Sequence, residues 1–361
     1  MQIAYDLLPR NKRQSPPGRD VNLGFGLLRT NHMFQMEYAD GVWRNACILP
    51  YQPFSIMPGA VCLHYGQTIF EGIKAFRHED GEIRIFRGDI NADRLNHSAR
   101  IMCMPPVPPD LQMEAIMRLI DVERDWCPVI PESSLYIRPF MFATMDALGV
   151  RPSTTYVFCV ILSPSGPYYA RGISEAITLL INKSFHRAAP GGTGSAKCGG
   201  NYGASLRAAE EAHSRGASQV LYLNTDNTRI EEAGSMNHYH VLADGTFVIP
   251  TFSDTVLRSI TSLSVLELAE AGEIKARQED IPLEPFLKGI SSGDIIEAGG
   301  FGTAAVVSPV GRYCLEDGTV YTVGDGGVGR HSLALYTRYS AIQTGKAPAP
   351  EGWLRTVPRY S

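Results

Sequence analysis

The chain has 361 residues, enough for about two domains. Its 44% hydrophobic and 19% charged residues are ordinary for a globular protein, and a net charge of −4 gives no electrostatic footprint for nucleic acid. No apolar run approaches the roughly 18 residues that span a membrane, and residues 1–20 lack the apolar core of a secretory signal, so we expect a cytoplasmic protein.

The first half predicts extended structure followed by helices and strands. The patterns predict, in chain order, a hairpin of residues 72–77 and 83–86 around Gly81, a helix over 91–102, a helix capped by Asp110, and strands over 135–142 and 156–162. Prolines at 105, 106, 108 and 109 end the first helix, because proline cannot continue a helix interior.

Residues 163–167 read Ser-Pro-Ser-Gly-Pro, which is typical of a linker between domains. We therefore predict a small N-terminal α/β domain over 1–162, a linker over 163–173 and a larger C-terminal domain over 174–361. The predicted elements of this second domain are strands over 176–182 and 219–224, a helix over 203–215, a hairpin of 238–242 and 246–249, and helices over 261–271 and 332–345.

The spacing of cysteines and histidines argues against disulfide bonds and against a metal site. The seven cysteines are scattered without a Cys-x-x-Cys pair, so we expect no disulfide framework. His238 and His240 would share one face of a strand, but two histidines alone make a poor metal site, so we expect no metal.

Lys197 lies in a glycine-rich stretch, residues 191–203, that could bring its amine close to a ligand. The stretch is not a phosphate-binding P-loop, because Ala196 precedes the lysine and Cys198 follows it. Residues 300–305 fit a loose dinucleotide-binding pattern, but a predicted strand follows them where that fold needs a helix. Taken alone, Lys197 is either a Schiff-base lysine or an ordinary loop lysine.

Three further stretches are compatible with a phosphorylated ring cofactor. Glu231 and Glu232 lie between apolar strands, where one acid could hold a protonated ring nitrogen, although a solvated turn would look the same. Residues 259–261 open a predicted helix whose amides could bind phosphate or simply be capped. Residues 299–304 offer a second loop of amides and a hydroxyl, or a plain tight turn.

Together these stretches complete an ordered set of motifs, at residues 64–72, 86–95, 136–139, 197–202, 232–237 and 302–304. In this order they resemble the branched-chain amino acid aminotransferases, which are pyridoxal-phosphate (PLP) enzymes of fold type IV. The resemblance runs from about residue 25 to the last helix. It implies a two-domain α/β (α+β) fold like that of D-amino acid aminotransferase, with the active site between the domains.

The resemblance also implies roles for single residues around PLP. Lys197 would be the Schiff-base lysine and proton shuttle, and Glu232 would face the pyridine nitrogen. The other cofactor-binding residues implied are Tyr202 at the phenolic oxygen, Arg94, Ile260, Thr261 and Thr303 at the phosphate, and Ser235 in the motif that contains Glu232.

Substrate residues follow from the same resemblance. The residues implied are Tyr136, Thr303 and Ala304 for the α-carboxylate, Tyr65, Phe70, Gly72 and Arg138 for the side-chain pocket, and Leu148 and Val150 in a loop that reaches the neighbouring subunit's site. The implied substrates are leucine, isoleucine or valine and 2-oxoglutarate, and the implied assembly is a homodimer or a higher even oligomer.

The chain departs from the family pattern at several positions. Residues 305–308 read Ala-Val-Val-Ser, so the Cys-x-x-Cys redox switch of some members is not expected. Ser259 stands where many members have glycine, and Ser262 stands where many have arginine or another polar residue, but backbone amides should still bind phosphate. Alternative functions are a D-amino acid aminotransferase, an aminodeoxychorismate lyase, or a non-catalytic binding relative of the same fold.

Overall fold

A computed structural model describes residues 1–18, 20–166 and 172–360. The strands are β1 (Ala4–Tyr5), β2 (His32–Ala39), β3 (Val42–Pro50), β4 (Thr68–Phe70), β5 (Ile73–Arg77), β6 (Ile83–Phe86), β7 (Ser134–Ala143), β8 (Tyr156–Ser165), β9 (Ile177–Ile181), β10 (Gln219–Leu223), β11 (Arg229–Ala233), β12 (Met236–Leu242), β13 (Phe247–Pro250), β14 (Ala276–Glu279), β15 (Ile281–Pro282), β16 (Ile295–Gly302), β17 (Val306–Leu315), β18 (Val320–Thr322) and β19 (Leu354–Thr356).

The α-helices are α1 (Val61–Tyr65), α2 (Gly88–Ile101), α3 (Pro109–Val122), α4 (Gly199–Ser214), α5 (Ile260–Glu270), α6 (Leu283–Ser292) and α7 (Arg330–Gln343). Among the residues described, none of these helices is both long and apolar enough to cross a membrane.

The chain divides into two compact units. The first contains Met1–Tyr168, Ala196–Gly200 and Ala341–Ser361, and the second contains Tyr169–Ser195 and Asn201–Ser340. This differs from the predicted contiguous domains, because Phe70 N donates to Lys197 O and β19 pairs with β6. The predicted linker is also partly strand, since β8 continues to Ser165, and its residues 167–171 lie outside the described residues.

The first unit is built on one sheet covered by helices. The strand order is β1-β3-β2-β8-β7-β5-β6-β19, with β4 paired to β7. Helix α3 begins with Pro109 and buries Met113, Ile116 and Ile120. Each such side chain stabilises the core by about 1.5–3 kcal/mol when it is fully buried. The predicted cap by Asp110 is wrong, because Asp110 lies within the first turn and Pro108 holds the N-cap position without a side-chain hydrogen bond.

The second unit contains a sheet in the order β14-β13-β12-β16-β17-β9-β10-β11-β15. Strand β11 also pairs with β12, and this places Glu232 directly opposite Asn237. Helix α6 packs Phe286 and Leu287 into the core beside Leu221 and Tyr313. The sheet thus presents Glu232 from a buried strand.

Most predicted elements are confirmed, with shifted ends. The two predicted hairpins form as β5–β6 and β12–β13. Residues 306–315 form a strand, which agrees with the prediction that a strand and not a helix follows residues 300–305. Helix α4 begins at Gly199 rather than at residue 203. Strands β2 and β3 and helix α6 were not predicted individually.

Candidate active site

The backbone of Lys197 is clamped inside the first unit. Its amide donates to Ser98 Oγ at 2.9 Å, and its carbonyl accepts from Phe70 N at 3.0 Å. The next residue, Cys198, forms an isolated antiparallel bridge with Ile69. Helix α2 and strand β4 therefore fix the position from which the lysine side chain starts.

The side chain of Lys197 lies against an aromatic ring shared with a second cation. Lys197 Nζ is 4.9 Å from the centroid of the Phe70 ring, and the Arg138 guanidinium is 4.7 Å from the same centroid. Cations at such distances are attracted to the ring by its quadrupole. Phe70 is therefore an apolar wall with a positive group at two places.

The Arg94 guanidinium forms a buried ion pair with Glu71, which sequence reasoning did not single out. Arg94 Nε and Nη2 lie 2.6 Å and 2.7 Å from the two Glu71 oxygens, and Asn91 Nδ2 donates to the same carboxylate. Burial raises the pKa of Glu71, but the charges of Arg94 and Lys197 outweigh it, so the pKa lies below its ordinary value. A carboxylate thus fixes Arg94 and balances the charge of Lys197.

Tyr136 and Arg138 form one polar corner next to Gly72. Arg138 Nη2 donates to Tyr136 Oη at 2.9 Å, and the Phe25 ring packs edge-on to Tyr136 at 4.9 Å. A Cβ on Gly72 would lie 2.2 Å from Tyr136 Oη, so only glycine leaves the hydroxyl in place. The structure thus brings together four of the predicted substrate residues, Phe70, Gly72, Tyr136 and Arg138.

Tyr65, Leu148 and Val150 lie in a different part of the first unit. Tyr65 Oη donates to Leu148 O, and Ala147 N donates to Gly59 O, so the two loops pack together. The three side chains are 40%, 72% and 83% exposed. These predicted substrate residues belong to an exposed apolar surface and are not buried in this chain.

In the second unit, the predicted residues Tyr202, Glu232 and Ser235 line one cavity. Arg187 lines the same cavity and was not predicted. Tyr202 comes from the first turn of α4, and Glu232 from β11. The cavity therefore has a phenol on one side and a carboxylate with a nearby guanidinium on another.

Glu232 is 3% exposed and held by two hydrogen bonds. Its Oε1 accepts from Leu257 N at 2.9 Å, and its Oε2 accepts from Asn237 Nδ2 at 3.2 Å. Hydrogen bonds of this kind favour the charged form of a carboxylate. The sequence could have indicated Asn237, because a two-residue turn between β11 and β12 brings it directly opposite Glu232.

The N-terminus of α5 is tied to the same asparagine. Asn237 Oδ1 accepts from Ser259 N and Ser262 Oγ, and the Ser259 side chain caps the helix at Ser262 N. Ile260 and Thr261 are in the first turn, where amides have no intrahelical acceptor. This end of α5 has the properties of an anion site, and Ser259 is compatible with it.

Thr303 and Ala304 lie in the turn between β16 and β17. The turn ends at Val306, which has φ of 65°, a value that is unusual for a β-branched residue. Val307 N donates to Ala305 O and closes a three-residue turn. The two predicted residues are half-buried and fixed by the strands on either side.

Comparisons with known proteins identify the family. The chain matches the family model of class IV amino-transferases over residues 68–309. Branched-chain-amino-acid transaminase 1 of Bacillus subtilis is 41% identical over 92% of this chain and 93% of its own length.

Solved structures give the same result at lower identity. The branched-chain amino acid aminotransferase of Escherichia coli has a TM-score of 0.75 at 27% identity, covering 91% of this chain and 99% of the other. The T.th. branched-chain amino acid aminotransferase with pyridoxamine 5'-phosphate has a TM-score of 0.73 at 26% identity, covering 90% of this chain and 98% of the other. The family match covers both the lysine of the first unit and the acid of the second, and the chain belongs to the class IV aminotransferases.

Proposed function

We propose that the protein is a PLP-dependent aminotransferase that moves the amino group between leucine, isoleucine or valine and 2-oxoglutarate. The observation that supports this most directly is the Phe70 ring, which carries the Lys197 amine and the Arg138 guanidinium. A reactive amine, an apolar wall and a second cation are what an enzyme needs to accept both a hydrocarbon side chain and glutamate.

The residues of the chain fit PLP chemically. In the second unit the cavity supplies Glu232 for the ring nitrogen and Tyr202 for the phenolic oxygen, with Ser235 at its edge. The helix-end amides of Ile260 and Thr261, with the Thr303 hydroxyl, suit a phosphate dianion. In the first unit Lys197 would hold the cofactor through Nζ, and Arg94, fixed by Glu71, would add a cation for the phosphate.

Bound PLP would supply an aldehyde carbon that accepts the amino group and a ring that takes up electrons released at the substrate Cα. Lys197 Nζ, released from the cofactor, would take the proton from that Cα. Glu232 would keep the ring nitrogen protonated, because hydrogen bonds from Leu257 N and Asn237 Nδ2 favour the charged form of its carboxylate.

Substrate binding would use groups of both units. Tyr136 and the amides of Thr303 and Ala304 would receive the α-carboxylate. Phe70, beside Gly72, would contact the branched side chain, and Arg138 would pair with the second carboxylate of glutamate. The curated relative from Bacillus subtilis, named as a branched-chain transaminase, supports this choice of substrate.

We also propose a cytoplasmic homodimer that binds neither nucleic acid nor membrane. Met57, Leu63, Tyr65, Leu148 and Val150 are all 40% or more exposed, and the loops that carry them pack together. A second copy of the chain would cover this surface and receive Tyr65, Leu148 and Val150 near its substrate. Light scattering should then give about twice the chain mass of 39.6 kDa.

The test of the activity is a panel of L- and D-amino acids with 2-oxoglutarate as acceptor. We expect turnover of L-leucine, L-isoleucine and L-valine, and a loss of about 1,000-fold or more in Lys197→Ala. The exposed Lys183→Ala is the matched control and should keep full activity. Turnover of D-alanine but not L-leucine would favour a D-amino acid aminotransferase, and protein that stays colourless with PLP would favour the non-catalytic relative.

A further inference from the structure

Arg187 is a buried cation of the second unit for which the family resemblance gave no role. Its side chain is 9% exposed and lines the cavity of Tyr202 and Glu232. We propose that Arg187 is a positioning residue that keeps the Glu232 carboxylate ionised and aimed into the cavity, and that also holds the segment leading to Lys197. This inference rests on the proposed function, because it assigns Glu232 to the cofactor ring.

The Arg187 guanidinium and the Glu232 carboxylate form a close ion pair. Arg187 Nη2 lies 3.6 Å from Glu232 Oε1, and the Glu232 side chain is 4% exposed. Charges at this distance interact more strongly in a buried site than in water, because solvent screens them less. The charge of Arg187 also reaches across the cavity: burial raises the pKa of Tyr222, and Arg187 opposes that rise. Arg187 therefore acts on Glu232 mainly through its charge.

Two backbone carbonyls anchor the Arg187 guanidinium. Arg187 Nη2 donates to Gly194 O at 2.8 Å and to Thr255 O. The two backbone segments touch, since a Cβ on Gly194 would lie 2.6 Å from Thr255 Cα. Gly194 precedes Lys197 by three residues. The Arg187 side chain thus links strand β11, which carries Glu232, to the segment that precedes Lys197.

The adjacent acid, Glu231, has its own partner. Glu231 Oε1 accepts from Thr255 Oγ1 at 2.5 Å, and Thr255 Oγ1 also contacts Ser253 Oγ. The ion pair of Arg187 is with Glu232. The arrangement therefore separates two neighbouring carboxylates: Glu231 binds a hydroxyl within the fold, whereas Glu232 faces a cation at the cavity.

The test titrates the full-length protein, freed of cofactor, with PLP and records the dissociation constant and the absorption maximum of the bound cofactor. We expect Arg187→Met to weaken PLP binding by about tenfold or more and to move the absorption maximum. Arg187→Lys keeps the charge without the planar anchor, so it should restore part of the affinity. Arg215→Met, at an exposed helix pair with Glu211, is the control.

A double-mutant cycle separates positioning from packing. If Arg187 acts through Glu232, Arg187→Met should weaken PLP binding less in the Glu232→Gln background than in the wild type, because only the anchoring of Gly194 O and Thr255 O remains to be lost. The proposal is overturned if Arg187→Met binds PLP with unchanged affinity and absorption maximum, or if the two effects multiply in the double variant.

Two further outcomes are also decisive. If Arg187→Met does not fold, the neutral Arg187→Gln takes its place, because its amide can still donate a hydrogen bond although the charge is lost. A shifted absorption maximum in Arg187→Gln would support the proposal, and the wild-type value would overturn it. Wild-type protein that binds no PLP would overturn the proposed function as well, whereas wild-type binding with no effect of either Arg187 variant would overturn only this inference.

Discussion

The lysine region of the first unit and the acid region of the second hold their charges in different ways. Around Lys197 the partners are side chains, since Phe70 carries two cations and Arg94 pairs with Glu71. The Glu232 carboxylate accepts hydrogen bonds from a backbone amide, Leu257 N, and from the side chain of Asn237. Backbone groups survive substitution, so we expect the first region to depend more strongly on side-chain identity.

Glu71→Gln tests the side-chain half of this comparison. The substitution leaves Arg94 buried without a counter-charge, which should cost about 3 kcal/mol in the free energy of unfolding. Urea unfolding of the cofactor-free protein measures the loss. Glu114→Gln, at the solvent-accessible pair with Arg118, should cost less than about 1 kcal/mol. Equal losses in the two variants would contradict the contrast.

Glu232→Gln tests the second region, where a backbone amide binds the carboxylate. The glutamine can still accept from Leu257 N, so the fold should persist while kcat falls by about 100-fold, because a neutral amide cannot hold the ring nitrogen protonated. Steady-state kinetics with L-leucine measures this. The neighbouring Glu231→Gln keeps an acceptor for Thr255 and should change kcat far less. A similar fall in both variants would argue against Glu232 as the ring acid.

A third buried region of the second unit lacks such partners. No hydrogen-bond partner is found among the described residues for either ring nitrogen of His238 or for His240 Nδ1. Burial, with a smaller effect of Arg277, lowers the pKa of His240 to about 4. Burial, with His240, also lowers the pKa of His238.

Acid should therefore destabilise the protein through these histidines. Between pH 6.5 and about 4, His240 binds a proton in the unfolded chain but stays neutral in the folded protein. The contribution of neutral His240 to the free energy of unfolding is therefore complete above pH 6.5 and decreases as the pH falls below it. From pH 7.5 to 5 the loss should be about 2 kcal/mol, measured by urea unfolding. His240→Leu should reduce this pH dependence, and the exposed His213→Gln should leave it unchanged.

Gly72→Ala should give the smallest effect. The added methyl would displace Tyr136 Oη from its place beside Arg138, and we expect KM for L-leucine to rise about tenfold with little change in kcat. Gly18→Ala, where a Cβ meets no atom within 4 Å, is the control. An unchanged KM would show that Tyr136 does not bind the α-carboxylate.

The sequence predicted the elements with clear periodicity and the residues inside the shared motifs. Helix α3 and the β12–β13 hairpin formed because their patterns are strong. Helix α4 starts at Gly199, earlier than predicted, because glycine pairs carry no helical signal and the segment is fixed by contacts distant in sequence.

The missed residues of the site are those that act through tertiary contacts. Glu71 lies inside a recognised motif, but its pairing with Arg94 depends on the end of β4 meeting α2. Arg187 precedes Glu232 by 45 positions in the sequence, and no spacing indicates their ion pair. Periodicity reports which face of an element is buried, whereas these pairs depend on how separate elements pack.

The turn at Val306 has a consequence for the thermodynamics of binding. A β-branched residue held at φ of 65° costs roughly 1–3 kcal/mol, and the paired strands β16 and β17 impose it. The amides of Thr303 and Ala304 are thus already ordered before any ligand arrives. A carboxylate or phosphate that binds there would not have to order the turn, so its affinity would not be reduced by that entropy cost. The pairing of β16 with β17 therefore preorganises the turn for binding.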